Sequence, residues 1–138
     1  RGHGNHVLAV TYSPDGKTIL TGSGGQDQTI RVWDAETGRE ITMVFGKPLF
    51  GFVNLRETIQ TLAYSPDGKW IASGGVKGQT MIWNAETYFA VHRIQSHNSS
   101  ITCVQFSPDG KHLLSCGYDK RARIWNVATG QEVRSLQG

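Results

Sequence analysis

The side chains of this chain that could do chemistry come in recurring sets. His97, Ser115 and Asp119 are the residue types of a base, a nucleophile and an orienting acid, the combination used for acyl transfer. The same set returns earlier as His3, Asp27 and a hydroxyl that is either Thr21 or Ser23. In both places a tryptophan follows six residues after the aspartate, Trp33 in one and Trp125 in the other. A hydrolase needs one such set, with donors arranged for an oxyanion. A set that repeats in register and ends each time on an indole reads as structural rather than catalytic, since a buried indole N–H needs a partner.

Two other chemistries fail on spacing. His97, Cys103, His112 and Cys116 suggest zinc, but His112 and Cys116 lie four residues apart on a predicted strand, roughly 13 Å. Zinc ligands stand about 2.0–2.3 Å from the metal, so no metal site and no cofactor is expected. A three-residue loop at Pro108-Asp109-Gly110 sets Thr102 against Cys116 and Cys103 against Ser115. That register places the cysteines on opposite faces and argues against a disulfide. The glycine clusters Gly22-Ser23-Gly24-Gly25 and Gly75-Val76-Lys77-Gly78 lack the order of a phosphate loop and precede strands, not helices, so they read as turns.

The elements that hold these residues repeat as well. Ser-Pro-Asp-Gly occurs at Ser13–Gly16, Ser65–Gly68 and Ser107–Gly110, at steps of 52 and 42 residues, and Trp33, Trp83 and Trp125 follow at steps of 50 and 42. In the turn, proline presets φ near −65° and glycine accepts the left-handed conformation that ends it. Alternating apolar runs flank each turn, as in Val7–Tyr12, Ile59–Tyr64 and Ile101–Phe106. Four short strands in a period of about 40–45 residues are the pattern of a propeller blade.

These residues resemble the WD-repeat family over essentially the whole chain: Gly2-His3 or Ser96-His97 at the start, then the turn, the aspartate, and Trp33-Asp34 or Trp125-Asn126. The resemblance implies an all-β fold of three four-stranded antiparallel blades, a partial ring. The repeats are expected at 1–46, 54–95 and 96–138, with an inserted aromatic loop at 47–53. It also implies a tetrad in each blade: His3, the open hydroxyl, Asp27 and Trp33; and His97, Ser115, Asp119 and Trp125. The middle copy has Leu55 and Lys77 at the histidine and aspartate places and keeps only Ser73 and Trp83, so it is expected to be the loosest. Binding positions implied by the family lie at the start of each first strand and before the tetrad aspartate: His6, Leu8, Gln26, Thr58, Gln60, Val76, Ser100, Thr102 and Tyr118. Phe50 and Phe52 of the insertion are further candidate partner contacts.

The implied function is a non-enzymatic protein-interaction scaffold in a larger multiprotein assembly. The alternative is a propeller that contacts nucleic acid in a ribonucleoprotein. A formal charge of +3, with Lys120, Arg121 and Arg123 as the densest basic cluster, makes nucleic acid possible but does not favour it. Two cysteines and no signal-like segment suggest a cytoplasmic or nuclear protein, and no apolar run is long enough to span a membrane. Three blades leave two wet faces, expected to carry residues such as Val10, Ile30, Val104 and Ile124. Remaining blades of the same propeller, or a second copy of the chain, are therefore expected partners.

Overall fold

The protein, a computed structural model, is described over residues 2–44 and 57–137. The predicted insertion, with Phe50 and Phe52, and the histidine place at Leu55 lie outside the described residues. Among the described residues, twelve strands form three antiparallel four-stranded sheets. The first contains β1 (Val7–Tyr12), β2 (Thr18–Ser23), β3 (Ile30–Asp34) and β4 (Glu40–Val44). The second contains β5 (Ile59–Tyr64), β6 (Trp70–Gly75), β7 (Gln79–Asn84) and β8 (Ala90–Gln95). The third contains β9 (Ile101–Phe106), β10 (His112–Gly117), β11 (Arg121–Asn126) and β12 (Glu132–Gln137). Neighbours in sequence are neighbours in each sheet, and the described residues contain no helix.

The Ser-Pro-Asp-Gly turns close identically. Each glycine N–H donates to the serine carbonyl at 2.9 Å, with φ of 71°, 73° and 72° at Gly16, Gly68 and Gly110. Each serine hydroxyl also accepts the N–H of the first residue of the next strand, as Thr18 donates to Ser13 Oγ at 3.0 Å. The closing pair is therefore Ser107 with His112, and the loop has four residues, not three. This one-residue difference reverses the expected placing of the cysteines. Cys103 pairs directly with Cys116, on the same face of the third sheet, and both thiols are free.

Each first strand also carries a β-bulge. Val7 pairs with Ser23 and Ala9 with Gly22, which leaves Leu8 unpaired; the same shift leaves out Gln60 and Thr102.

The sheets are stacked with β1 beside β5 and β5 beside β9. Two apolar layers lie between them. Leu20, Ile30 and Val32 of the first sheet meet Ile59, Leu62, Ile71 and Trp83 of the second. Ala72, Ile82 and Ile94 on the back of the second meet Ile101, Val104, Phe106, Leu113 and Trp125 of the third. Covered on both sides, the middle sheet is the best buried of the three, with Trp83 at 1% and Ile82 at 0% exposure, contrary to the expectation from its degenerate motif. Ile30 and Val104, expected on wet faces, are buried in these layers, whereas Val10 is 65% exposed. Ile124 is half-buried.

Close approach at each seam depends on glycine in the second strand. A Cβ on Gly22 would lie 2.6 Å from Ile59 Cγ2, and one on Gly74 would lie 2.6 Å from Ile101 Cγ2. Both isoleucines are buried and branched at Cβ, so neither can swing aside. Gly74→Ala should therefore destabilise the protein by about 1–3 kcal/mol through overpacking. Chemical denaturation checks this, with the exposed Gly4→Ala as a control of near-zero effect.

Candidate functional site

Candidate chemistry lies in the loops joining one sheet to the next. In the third repeat, the Trp125 indole N–H donates to Ser115 Oγ at 2.9 Å, and Ser115 Oγ lies 2.8 Å from His97 Nε2. His97 Nδ1 lies 2.8 Å from Asp119 Oδ1. One proton arrangement satisfies every member: the hydroxyl accepts from the indole and donates to Nε2, while Nδ1–H donates to the carboxylate. Asp119 accepts further from the Arg121 N–H at 3.2 Å and from Arg123 Nη1 at 2.9 Å. Desolvation pushes the Asp119 carboxyl upward, but the bonds from Arg123 and His97 outweigh it and hold the carboxyl down at about 2.

The first repeat has the same geometry. Trp33 Nε1 donates to Thr21 Oγ1 at 2.7 Å, Thr21 Oγ1 lies 2.6 Å from His3 Nε2, and His3 Nδ1 lies 2.7 Å from Asp27 Oδ2. The hydroxyl left open by the spacing is thus Thr21. Ser23 Oγ turns to the next strand and accepts the Thr29 N–H at 3.1 Å. Thr29 Oγ1 in turn donates to Asp27 at 2.8 Å, the role Arg123 fills in the third repeat. Ser115 is fully buried and hydrogen-bonded on both sides, so its hydroxyl presents no nucleophile to solvent.

The middle repeat reaches a similar end by another route. Trp83 Nε1 donates to Ser73 Oγ at 3.1 Å. The slot above Gly75 is filled by the carboxyl group of Glu57, as the His97 ring fills the slot above Gly117. Glu57 Oε1 accepts the Lys77 N–H at 2.6 Å, and its carboxylate also accepts from the Gln79 backbone. Asp119 bonds the matching backbone N–H of Arg121 from within its own turn. Here the acid arrives from the preceding loop instead. Glu57 is 4% exposed, and burial raises its carboxyl above the usual range despite those two bonds and the charges of Lys77 and Arg93. Sequence reasoning missed this residue. Its signal was an acid two positions past the absent histidine, in the copy that also lacks the aspartate.

The candidate binding positions lie along one edge of the three sheets. His6 O accepts the Gly24 N–H at 3.0 Å, Thr58 O the Val76 N–H at 3.2 Å, and Ser100 O the Tyr118 N–H at 3.0 Å. These bonds hold Thr58 beside Val76 and Ser100 beside Tyr118. In the first repeat Gly24, not Gln26, occupies that bonded place, and Gln26 is exposed two residues further on. Leu8, Gln60 and Thr102 are the three bulge residues, all exposed, and Tyr118 is 74% exposed. Among the described residues no group of three or more His, Cys, Asp or Glu could hold a metal ion.

A family model described as "WD domain, G-beta repeat" matches residues 1–34, 47–84 and 89–126. Protein HIR1 of Yarrowia lipolytica is 28% identical over 112 residues, covering 72% of this chain and 10% of that protein. Small ribosomal subunit protein RACK1 of Caenorhabditis elegans is 35% identical over 82 residues, covering 59% of this chain and 23% of its own. Among solved structures, the RRP9 WD40 repeats superpose with a TM-score of 0.87 at 27% identity, over 100% of this chain and 40% of theirs. U3-55K does so with a TM-score of 0.86 at 26% identity, over 100% of this chain and 41% of its own. The chain thus spans less than half the length of each of these matched chains.

Two acids should respond to pH in opposite senses. Asp119 is depressed in the fold, so its stabilisation is present above its unfolded value of about 3.9 and is lost as pH falls toward 2. Asp119→Asn should therefore be less stable than wild type at pH 7, with the gap closing by about pH 2. Glu57 is raised, so its contribution is full below about 4.3 and is lost as pH rises through its folded value. Glu57→Gln keeps an acceptor for Lys77 N–H and should gain on wild type as pH rises. Glu57→Ala should cost about 1–3 kcal/mol by leaving two backbone donors unpaired. Urea titrations at stepped pH test all three.

Proposed function

We propose that this chain, which belongs to the WD40 repeat family, works as a non-enzymatic protein-interaction scaffold within a larger multiprotein assembly. On this reading its repeat units run 1–46, 54–95 and 96–138, with the inserted loop at 47–53. The observation that carries the reading is the division of labour among the polar side chains. The histidine–hydroxyl–aspartate sets of the first and third repeats, the constellations that most resemble a catalytic one, are tied into chains ending on Trp33 and Trp125. The exposed bulge residues Leu8, Gln60 and Thr102, with Tyr118, are left free to face a partner from a hydrogen-bonded frame. Such a rim is chemically mixed, which suits a protein surface better than a small polar ligand.

Two relatives are named as subunits of assemblies: the ribosomal protein RACK1 and a guanine nucleotide-binding protein subunit beta of Zea mays. The ribosomal name, with exposed Lys120 and Arg121, supports the second reading, contact with RNA. Either role fits a cytoplasmic or nuclear site.

Changing Leu8→Ser, Gln60→Ala, Thr102→Ala and Tyr118→Ala together should abolish specific co-purification of partner proteins while leaving Tm within a few degrees of wild type. Retained partners with an unchanged Tm would move the binding surface off this rim. If binding instead falls steeply with log salt and is lost on ribonuclease treatment, RNA is the partner.

A further inference from the structure

The end of the sheets opposite the rim holds a cavity that belongs to the first seam. It has a volume of about 310 Å³, and Asp15 and Asp67 line it from two successive Ser-Pro-Asp-Gly turns. Its walls also include Thr18, Tyr64, Ala85 and Tyr88. Both phenol rings are half-buried against the apolar layer, and Tyr64 Oη lies 3.2 Å from Thr18 Oγ1.

The residues that open and furnish this cavity have no counterpart at the second seam. Trp70 holds the place of Thr18 there, as the pairings Thr18–Asp34 and Trp70–Asn84 show. Phe106, paired with Leu113 as Tyr64 is with Ile71, lacks the hydroxyl. Gly130 holds the place of Tyr88: their N–H groups donate to Asn126 O and Asn84 O, both at 2.8 Å. The first sheet has Gly38 at the same turn position, donating to Asp34 O. All three adopt positive φ, 57° at Tyr88 against 69° at Gly38 and 71° at Gly130. Glycine takes that conformation freely, whereas a bulky side chain is disfavoured in it. The ring of Tyr88 is therefore held at this cavity against a local backbone preference.

The charge on the cavity has one sign. Asp15 Oδ1 accepts the Ser13 hydroxyl and the Lys17 N–H, and Asp67 Oδ1 accepts the same groups of Ser65 and Lys69. These bonds hold both carboxyls below the usual carboxylate range, so both are anionic at neutral pH. Among the described residues neither Oδ2 makes a hydrogen bond, and no basic side chain lines the cavity. Lys17 and Lys69 follow the two turns but do not line it. Anionic oxygens beside aromatic rings suit a planar cation. A guanidinium carries five N–H donors and a flat face that packs on a ring, whereas an ammonium is a compact, strongly hydrated charge. The volume lies at the lower end of the range for ligand pockets, about 300–1,000 Å³, which suits one long side chain rather than a folded element.

We propose that the cavity between the first two sheets is an interaction site for an arginine side chain on an extended segment of a partner protein, with Asp15 and Asp67 binding the guanidinium and Tyr64 and Tyr88 packing against it. The inference does not rest on the rim, which lies at the other end of the sheets.

The probe is the capped peptide acetyl-Gly-Gly-Arg-Gly-Gly-amide, titrated into nitrogen-15-labelled protein and followed by amide shifts. Shifts should gather on Asp15, Thr18, Asp67, Ala85 and Tyr88 and leave Thr102 and Tyr118 of the rim unmoved. Peptides with lysine or citrulline in place of the arginine should bind at least about fivefold more weakly. Asp15→Asn with Asp67→Asn keeps the turn acceptors while removing the charge. Tyr88→Gly installs the residue that the other two turns carry. Each of these variants should bind the arginine peptide at least about fivefold more weakly, and Tyr88→Gly should melt no lower than wild type. An arginine peptide that leaves these amides unshifted at millimolar concentration would overturn the proposal. So would unchanged affinity in both variants, or a Tyr88→Gly protein that melts lower yet binds as before, since the ring would then serve packing alone. Equal binding of the lysine peptide would overturn the assignment to a guanidinium.

Discussion

Everything in this molecule depends on one constraint: a four-stranded sheet of about forty residues cannot bury an apolar face by itself. Each sheet is buried only by the next, and the contact must be close to exclude water. Closeness is set at one point, where a branched residue opening one sheet sits on a glycine of the sheet before it. Ile59 over Gly22 and Ile101 over Gly74 bring the backbones together, and the larger side chains Leu20, Ile71, Trp83, Leu113 and Trp125 fill the remaining layer. Strand pairing alone would leave three separate, unstable sheets.

The polar chains solve the problem this close packing creates. The loops leading into each sheet and the turns after each second strand carry backbone donors at the edge of an apolar layer. Asp27 and Asp119 accept those donors from inside the turn, and His3 and His97 link the carboxylates to the hydroxyls beneath the indoles. The middle repeat meets the same need with Glu57, from the loop before the sheet. A carboxylate near the turn is the physical requirement; which residue supplies it is negotiable. A repeat that lacks half the motif thus keeps its backbone donors bonded, while its burial comes from being covered on both faces.

The same geometry separates support from recognition. The histidine–hydroxyl–aspartate sets of the first and third repeats are held under the rim with their partners satisfied, and the bulges in β1, β5 and β9 push one unpaired residue each into solvent. A rim of this sort is held by its bonded frame, and its bulge residues stand outside the strand pairing. Leu8, Gln60 and Thr102 share a position and little else.

Local signals settled a good deal without any structure. Turn chemistry at Ser13, Ser65 and Ser107, alternation along the first strands and the recurrence of tryptophan set out three repeats and placed Val7–Tyr12, Ile59–Tyr64 and Ile101–Phe106, and the family resemblance implied four antiparallel strands in each. These are effects of neighbours in the chain, so the chain displays them. Tertiary structure decided what spacing could not. The choice of Thr21 over Ser23 depended on where the His3 ring arrives. The facing of Cys103 and Cys116 turned on a single extra loop residue, because strand side chains alternate with period two and one step exchanges the faces. Glu57 showed in the sequence only as an acid near a broken motif, because its partners belong to another turn, reached only when the loop folds over Gly75. The need for Gly22 and Gly74 appeared only at the seams, since a glycine's necessity lies in the side chain that lands on it, and that side chain comes from the next sheet.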